Sequence, residues 1–225
     1  MLQQKNMVCL FTKGQKYVKM NPVCCAQVNR KDLAIHMRII TGSARGTRLK
    51  TPKGRGTRPT ADRVKESLFN ILGTKTAGRR VLDLFAGTGA LGLEALSRGA
   101  KRAVLVDAAT AGLLRENAEH THLEAFAEIL AMDVFAALSR LAAQQESFDL
   151  VFCDPPYHLG LWQRALAMLD GSGLLAREGI LVIEHGADEN DLPELGSLSR
   201  VLNKRYGKTT QLSFFQRNEY LAECD

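Results

Sequence analysis

Arg80-Val81-Leu82-Asp83-Leu84-Phe85-Ala86-Gly87-Thr88-Gly89-Ala90-Leu91-Gly92 decides how this chain folds. The first half is an apolar run of strand length. The second spells G-x-G-x-x-G at Gly87, Gly89 and Gly92, in front of a helix expected over residues 91–98 and closed by Gly99. Outward from it the pattern repeats. Strands are expected over 103–107, 126–130 and 148–154, with helices over 109–119, 134–144 and 161–169. A strand over 180–184 follows, then strands over 198–206 and 209–215 joined by Gly207-Lys208 as a tight hairpin. Alternating strands and helices predict an α/β fold with a seven-stranded, mostly parallel sheet, to which the terminal hairpin adds an antiparallel part.

Upstream of this pattern the chain turns basic. Residues 38–65 hold nine Lys/Arg against one Asp, and residues 1–37 six against one, leaving 15 basic and 22 acidic side chains in the remaining 160. A basic arm on an acidic body reads as a grip for a polyanion. Residues 37–58 are punctuated by Gly42, Gly46, Gly54 and Gly56, which suggests short strands or a hairpin laid over a partner. Pro59 and Thr60 then open a helix, with Thr60 as N-cap and Asp62 at the positive end of the dipole; Val64, Leu68, Ile71 and Leu72 share one face, and Gly73 stops it. Residues 59–217 form the domain proper and 218–225 a tail. Residues 1–36 show no periodicity and are expected to be disordered, as a misassigned start or an expression remnant, with a transit peptide as the rival reading.

Composition narrows the class. At 225 residues and 45% apolar content the chain can bury one full core, and no apolar run is long enough to span a bilayer. Cys9, Cys24, Cys25, Cys153 and Cys224 show no C-x-x-C pairing and read as reduced cytosolic thiols. His120 and His122 lack a third ligand nearby in sequence and read as a solvated helix end.

Asp154-Pro155-Pro156-Tyr157 follows the apolar run 148–153 and so stands at a strand's carboxyl end, where open α/β sheets bind ligands. Its prolines fix φ and remove two backbone donors, which stiffens the loop and leaves its carbonyls free to accept. A carboxylate and a ring flank those carbonyls. The set suits an exocyclic amino group on a flat base, because carboxylate and carbonyl accept its two N–H bonds while the ring stacks on the base. In the bland alternative Asp154 caps a helix and Tyr157 merely packs. Thiolate chemistry at Cys153 is disfavoured, since strand alternation turns it away from the side Asp154 uses. The glycine stretch suits NAD or S-adenosylmethionine alike, with Asp107 as the carboxylate for ribose hydroxyls. Asp83 helps separate them. Four residues before Gly87, its charge repels a pyrophosphate and can help hold, directly or through water, the ammonium of a methionine moiety.

At these residues the sequence resembles the S-adenosylmethionine-dependent amino-methyltransferases of nucleic acids, whose catalytic loop is an Asp, Asn or Ser followed by two prolines and an aromatic residue. Asp154 to Tyr157 match it at every position. Asp83 to Gly89 is similar to their first motif, which implies cofactor contacts from Asp83, Phe85, Ala86, Gly87 and Gly89. Asp107 matches the acid ending the second strand, and Asp133 the residue that accepts the adenine amino group, although Asp133 equally suits a cap on the following helix. Thr60 is assigned to the cofactor as well. Closer still, Arg38-Ile39-Ile40-Thr41-Gly42, Arg58-Pro59-Thr60, Asp62-Arg63-Val64, Ser67-Leu68-Phe69-Asn70 and Tyr206-Gly207-Lys208-Thr209 resemble the small-subunit ribosomal RNA guanine-N2 methyltransferase D family, over about residues 37–217.

That resemblance implies a Rossmann-like class I methyltransferase fold, S-adenosyl-L-methionine as cofactor and methylation of a guanine N2 in 16S rRNA, within the small ribosomal subunit or its assembly intermediate. Asp154, Pro155, Pro156 and Tyr157 are then catalytic, and Arg38, Arg45, Arg48, Lys50, Arg55, Arg58 and Arg63 meet the RNA. No metal and no membrane are implied, and the expected state is a cytoplasmic monomer. Residues 1–36 have no counterpart in the family pattern. Two other readings stay open. An N6-adenine methyltransferase on DNA or RNA shares the loop and cofactor motifs, and a non-catalytic RNA-binding assembly factor needs only the basic arm.

Overall fold

The computed structural model describes residues 37–51 and 59–221; the extension over 1–36, Arg55, Arg58 and residues 222–225 lie outside the described residues. Along the chain come α1 (Pro59–Leu72), β1 (Arg80–Leu84), α2 (Gly92–Ser97), β2 (Arg102–Val106), α3 (Ala111–His120), β3 (Ala127–Leu130), α4 (Val134–Ala143), β4 (Phe148–Cys153), α5 (Leu161–Leu169), β5 (Leu175–Gly186), β6 (Leu198–Tyr206), β7 (Thr210–Arg217) and α6 (Asn218–Leu221). Seven strands make one sheet in the order β3-β2-β1-β4-β5-β7-β6. β1 to β5 are parallel, and β7 is antiparallel to both its neighbours. The expected mostly parallel sheet with an antiparallel C-terminal hairpin is therefore what forms. Strand order reverses between β1 and β4, which opens a crevice at their carboxyl ends.

Strand alternation sorts the apolar side chains into two cores. Val81, Leu105, Leu150, Phe152 and Val182 pack with Val64, Leu68 and Phe69 of α1, Leu93 of α2 and Leu114 of α3. Leu82, Val104, Val151, Cys153 and Ile183 pack on the other face with Leu138 of α4 and Trp162 and Leu166 of α5. Cys153 thus lies in the far core, as alternation predicts, and burial pushes its thiol well above the usual range.

Several boundaries differ from the sequence reading for identifiable reasons. α1 begins at Pro59, so Thr60 sits inside its first turn and is not the N-cap. A proline's missing N–H is an orphan at that position anyway. After Leu72 the chain tightens into a 3-10 turn over Gly73–Thr76. β5 is twelve residues long because an irregular stretch precedes its expected core, with Phe148 of β4 opposite Leu175 and Leu150 already opposite Ile180. The β6–β7 loop spans residues 207–209, one residue more than a two-residue turn, with Tyr206 paired to Thr210 and Gly207 at φ +64°.

Residues 37–51 of the basic segment form a small hairpin docked on the domain. Arg38 and Arg48 form an antiparallel bridge, and Leu49 N donates to the Met37 carbonyl at 2.8 Å. Ile39, Ala44 and Leu49 are buried in the first core, and the two large ones contribute about 1.5–3 kcal/mol each. Polar groups fix it further. Glu94 of α2, fully buried, accepts from Ile40 N at 2.6 Å, Thr41 N at 3.0 Å and Arg98 Nε at 2.7 Å. Lys65 Nζ lies 3.7 Å from Glu94 and donates to the Arg38 carbonyl at 2.6 Å. Burial lowers the Lys65 pKa while Glu94 opposes that shift. Asn117 of α3 accepts from Lys50 N at 2.8 Å and donates to the Lys50 and Thr88 carbonyls, linking the hairpin to the glycine turn. At Gly42 (φ +92°) a Cβ would fall 1.7 Å from the Ser97 carbonyl oxygen, so only glycine allows this approach.

Candidate active site

Beyond β1 the chain cannot continue as a strand. Phe85 is held at φ +59° and Gly87 and Gly89 at +57° and +80°, a run of left-handed backbone that is strained only at the phenylalanine. The turn is fixed from two sides. Gly89 N bonds the Ala86 carbonyl at 2.7 Å, and a Cβ at Gly89 would meet Leu93 at 2.9 Å. Asp107, just past β2, accepts from Gly87 N at 3.1 Å through Oδ2 and from Ala109 N and Thr110 N at 2.8 and 2.9 Å through Oδ1. Three of its roughly four acceptor positions are thereby used, leaving room for one more donor.

Asp83 lies beneath this turn, buried, with Oδ2 accepting the Gly92 N–H at 2.8 Å. Gly92 is required for that contact, because a Cβ there would meet Leu105 at 2.1 Å. Burial, and to a lesser extent Asp107, push the Asp83 pKa up to about 7, against the pull of the Gly92 hydrogen bond. Asp133 caps α4, its Oδ1 accepting from Phe135 N at 3.0 Å and Ala136 N at 3.1 Å, so of its two expected roles the cap is the one seen. Phe85 packs edge-on against Phe135, with centroids 6.2 Å apart. The Thr60 side chain lies outside the described residues.

Across the switch point, Asp154-Pro155-Pro156-Tyr157 leaves β4. Register carries the geometry: Leu84 pairs with Cys153 and Cys153 with Ile183, so Asp154 comes level with Phe85 on one side and Glu184 on the other. Alternation continued from Val81, Phe152 and Val182 puts Asp83, Asp154 and Glu184 on the same side of the sheet. The Tyr157 hydroxyl donates to Glu184 Oε1 at 2.7 Å and lies 3.3 Å from Thr210 Oγ1. Burial, then Glu184, drives the Tyr157 pKa up, so the phenol keeps its proton. Burial also raises Glu184, with the Tyr157 bond pulling the other way. Asp154 stands well above the ordinary carboxylate range, first from desolvation among the crevice walls and then from Glu184 and Asp83. Its surface is open to water at the crevice floor, so that desolvation acts in full only when a ligand fills the crevice.

Sequence reasoning did not mark Glu184. A single glutamate ending a strand has no local signature, and only the β4–β5 register sets it beside Asp154. Past Tyr157 the loop bends through His158 (φ +62°) and Gly160 (φ +65°) around an exposed Leu159. Of the predicted polyanion contacts, Arg38, Arg45, Arg48, Lys50 and Arg63 are exposed. Lys50 pairs with Glu116 at 2.9 Å, an exposed pair worth at most about 1 kcal/mol.

This arrangement can cradle a ligand with a cationic centre over a glycine turn and present a flat amine to it from the proline loop. The conserved hypothetical protein 95 family matches residues 37–216. The Bacillus subtilis protein named "Putative rRNA methyltransferase YlbH" is 39% identical over 176 residues, covering 77% of this chain and 95% of that one. Ribosomal RNA small subunit methyltransferase D of Escherichia coli is 41% identical over 159 residues, covering 70% of this chain and 78% of that one. The solved structure named "Putative methyltransferase yhhF from Escherichia coli" has a TM-score of 0.68 at 36% identity, covering 81% of this chain and 98% of that one.

Proposed function

The chain belongs to the conserved hypothetical protein 95 family, and from that premise we propose that it is an S-adenosylmethionine-dependent methyltransferase acting on the exocyclic N2 of a guanine in 16S ribosomal RNA. One observation carries the reading: Asp154 to Tyr157 stand at the carboxyl end of β4, directly across the switch point from a glycine turn with a buried carboxylate beneath it. The residues fit the cofactor on chemical grounds. Left-handed backbone at Gly87 and Gly89 lets the main chain approach it, and the carboxylates of Asp83, Asp107 and Asp154 favour its ammonium and sulfonium charges. When bound, the cofactor supplies an electrophilic methyl group, which leaves the protein the task of positioning.

Phe85, Ala86, Gly87 and Gly89 form the cradle, with Asp107 holding Gly87 in place and offering its remaining acceptor position to a ribose hydroxyl. Asp133 uses Oδ1 for its cap, and its other oxygen would accept from an adenine amino group. On the opposite wall, Asp154 Oδ and the Pro155 carbonyl accept the two N–H bonds of the target amine, drawing its lone pair out of the ring plane and aiming it at the donor. Pro156 stiffens the loop. Tyr157 stacks on the extruded base, worth about 1–3 kcal/mol. The raised Asp154 pKa makes it a ready acceptor for the proton lost once the nitrogen is methylated.

RNA is gripped by Arg38, Arg45, Arg48, Lys50 and Arg63, on the hairpin and α1, and by Arg55 and Arg58, and the substrate is rRNA within the small subunit or its assembly intermediate. The protein works as a cytoplasmic monomer. Mass spectrometry of ribosomal RNA nucleosides from cells with and without the protein tests the reading. Loss of one N2-methylguanosine in small-subunit RNA is expected, whereas loss of an N6-methyladenosine would redirect the assignment to adenine.

A further inference from the structure

Charge along the C-terminal half is segregated. Residues 66–197 hold ten Lys/Arg against nineteen Asp/Glu, while residues 198–217, the whole of β6 and β7, hold five Lys/Arg and no acid. Arg200, Lys204, Arg205 and Lys208 are all exposed. Arg205 and Lys208 meet no carboxylate among the described residues. Among the described residues Lys204 meets only the Ser67 hydroxyl at 3.5 Å and the face of the Tyr206 ring. Such a strip has an unmet electrostatic need on a body that is otherwise net acidic.

Its placement ties it to the crevice. The loop over residues 207–209 lies at the same end of the sheet as Asp154, the carboxyl end of the parallel strands, since Thr210 pairs with Gly186 at the end of β5 and Ala187 N donates to the Thr209 carbonyl at 3.1 Å. Thr210, two residues from Lys208, reaches the Tyr157 hydroxyl. Tyr206 on the other arm of the loop shares a 2.5 Å hydrogen bond with Ser67 of α1. Arg63 lies one turn before Ser67 on the same face of α1 and extends the basic strip along that helix.

We propose that the β6–β7 loop with Lys204, Arg205 and Lys208 is a second RNA-binding wall that holds the phosphates flanking the target nucleotide and runs through Arg63 on α1 toward the N-terminal hairpin, which α1 touches through Lys65. The inference rests on RNA as the substrate and adds where its backbone is held. β6 is also an exposed sheet edge, and cations there can serve only to block pairing with another strand. The two roles separate by experiment. A triple variant combining Lys204→Gln, Arg205→Gln and Lys208→Gln and, as a lighter perturbation that leaves every described contact intact, Lys208→Glu alone are compared with the parent for binding to purified small ribosomal subunits across a salt series.

For the triple variant the slope of log K against log salt should fall by about 2 to 3, since each phosphate contact contributes roughly 0.7 to 0.9. Lys208→Glu should weaken binding severalfold, with S-adenosylmethionine affinity unchanged in both. An unchanged slope with self-association of the triple variant overturns the wall in favour of edge protection. If the parent binds subunits and the variants lose slope, yet the parent transfers no methyl to any subunit RNA, the wall stands and the proposed reaction falls.

Discussion

The two sides of the switch point solve different problems with different materials. On the β1 side nearly everything is backbone: Gly87 N, Gly92 N, Ala109 N and Thr110 N are satisfied by Asp107 and Asp83, and glycines stand where a Cβ would collide. On the β4 side the work falls to side chains, and Asp154 and Glu184 crowd carboxylates together with no cation from the described residues paired to either. A cradle closed on itself suits a ligand of constant shape. A wall of poorly compensated acceptors suits a donor that arrives with the substrate.

The sharpest break between the sides is Asp154→Ala. Methyl transfer should drop by at least about 10²–10³-fold, the scale of losing one preorganised polar partner of the reacting atoms, while cofactor affinity by calorimetry stays within a few-fold. Near wild-type single-turnover rates would sink the assignment. Asp107→Ala should do the opposite. Without its carboxylate the glycine turn loses an anchor and a ribose hydroxyl loses its acceptor, so cofactor affinity should fall about 10- to 100-fold, with saturated turnover much less affected.

Acidity sharpens the contrast. Because burial raises Asp83 to about 7, the folded protein binds its proton more tightly than the unfolded chain does, and stability should fall as pH climbs from about 4 to about 7. A cationic ligand favours the ionised form, so cofactor binding should tighten as pH rises through about 7, by about tenfold between pH 6 and pH 8. Asp83→Asn should flatten both profiles, and a cofactor affinity independent of pH in the parent would remove Asp83 from the site. The smallest effect is expected from Tyr157→Phe. Loss of the hydroxyl contacts to Glu184 and Thr210 should slow transfer about 2- to 10-fold and leave the cofactor untouched.

The β1 side was legible in the sequence because its physics is local: glycines at fixed offsets after a strand dictate the turn, and the acid ending the next strand follows from the βα repeat. On the β4 side Asp154 to Tyr157 were equally plain, but Glu184 came into view only through the register of β5. The N-terminal hairpin was legible only on its outer face. Its arginines suggested a segment laid over a partner, and they are exposed, but Ile39, Ala44 and Leu49 are also core residues whose docking depends on Glu94, Ser97 and Asn117, none of which announces itself as a receptor for partners lying 54, 53 and 67 residues upstream.

That separation bears on the order in which the molecule assembles. The amides of Ile40 and Thr41 close on a carboxylate 54 and 53 positions further along the chain, and during synthesis they emerge long before Glu94 exists to receive them. Until α2 has packed on β1 the segment has only the bonds of its own short hairpin to hold it, too few for a stable isolated hairpin, and the loop-closure entropy is repaid only once Glu94, Lys65 and Arg98 are already in place. The hairpin is therefore a late-setting latch. In pulse-labelled refolding the Ile40 and Thr41 amides should gain protection after those of β1 and β4, and Glu94→Gln should delay their protection while leaving that of the central strands unchanged.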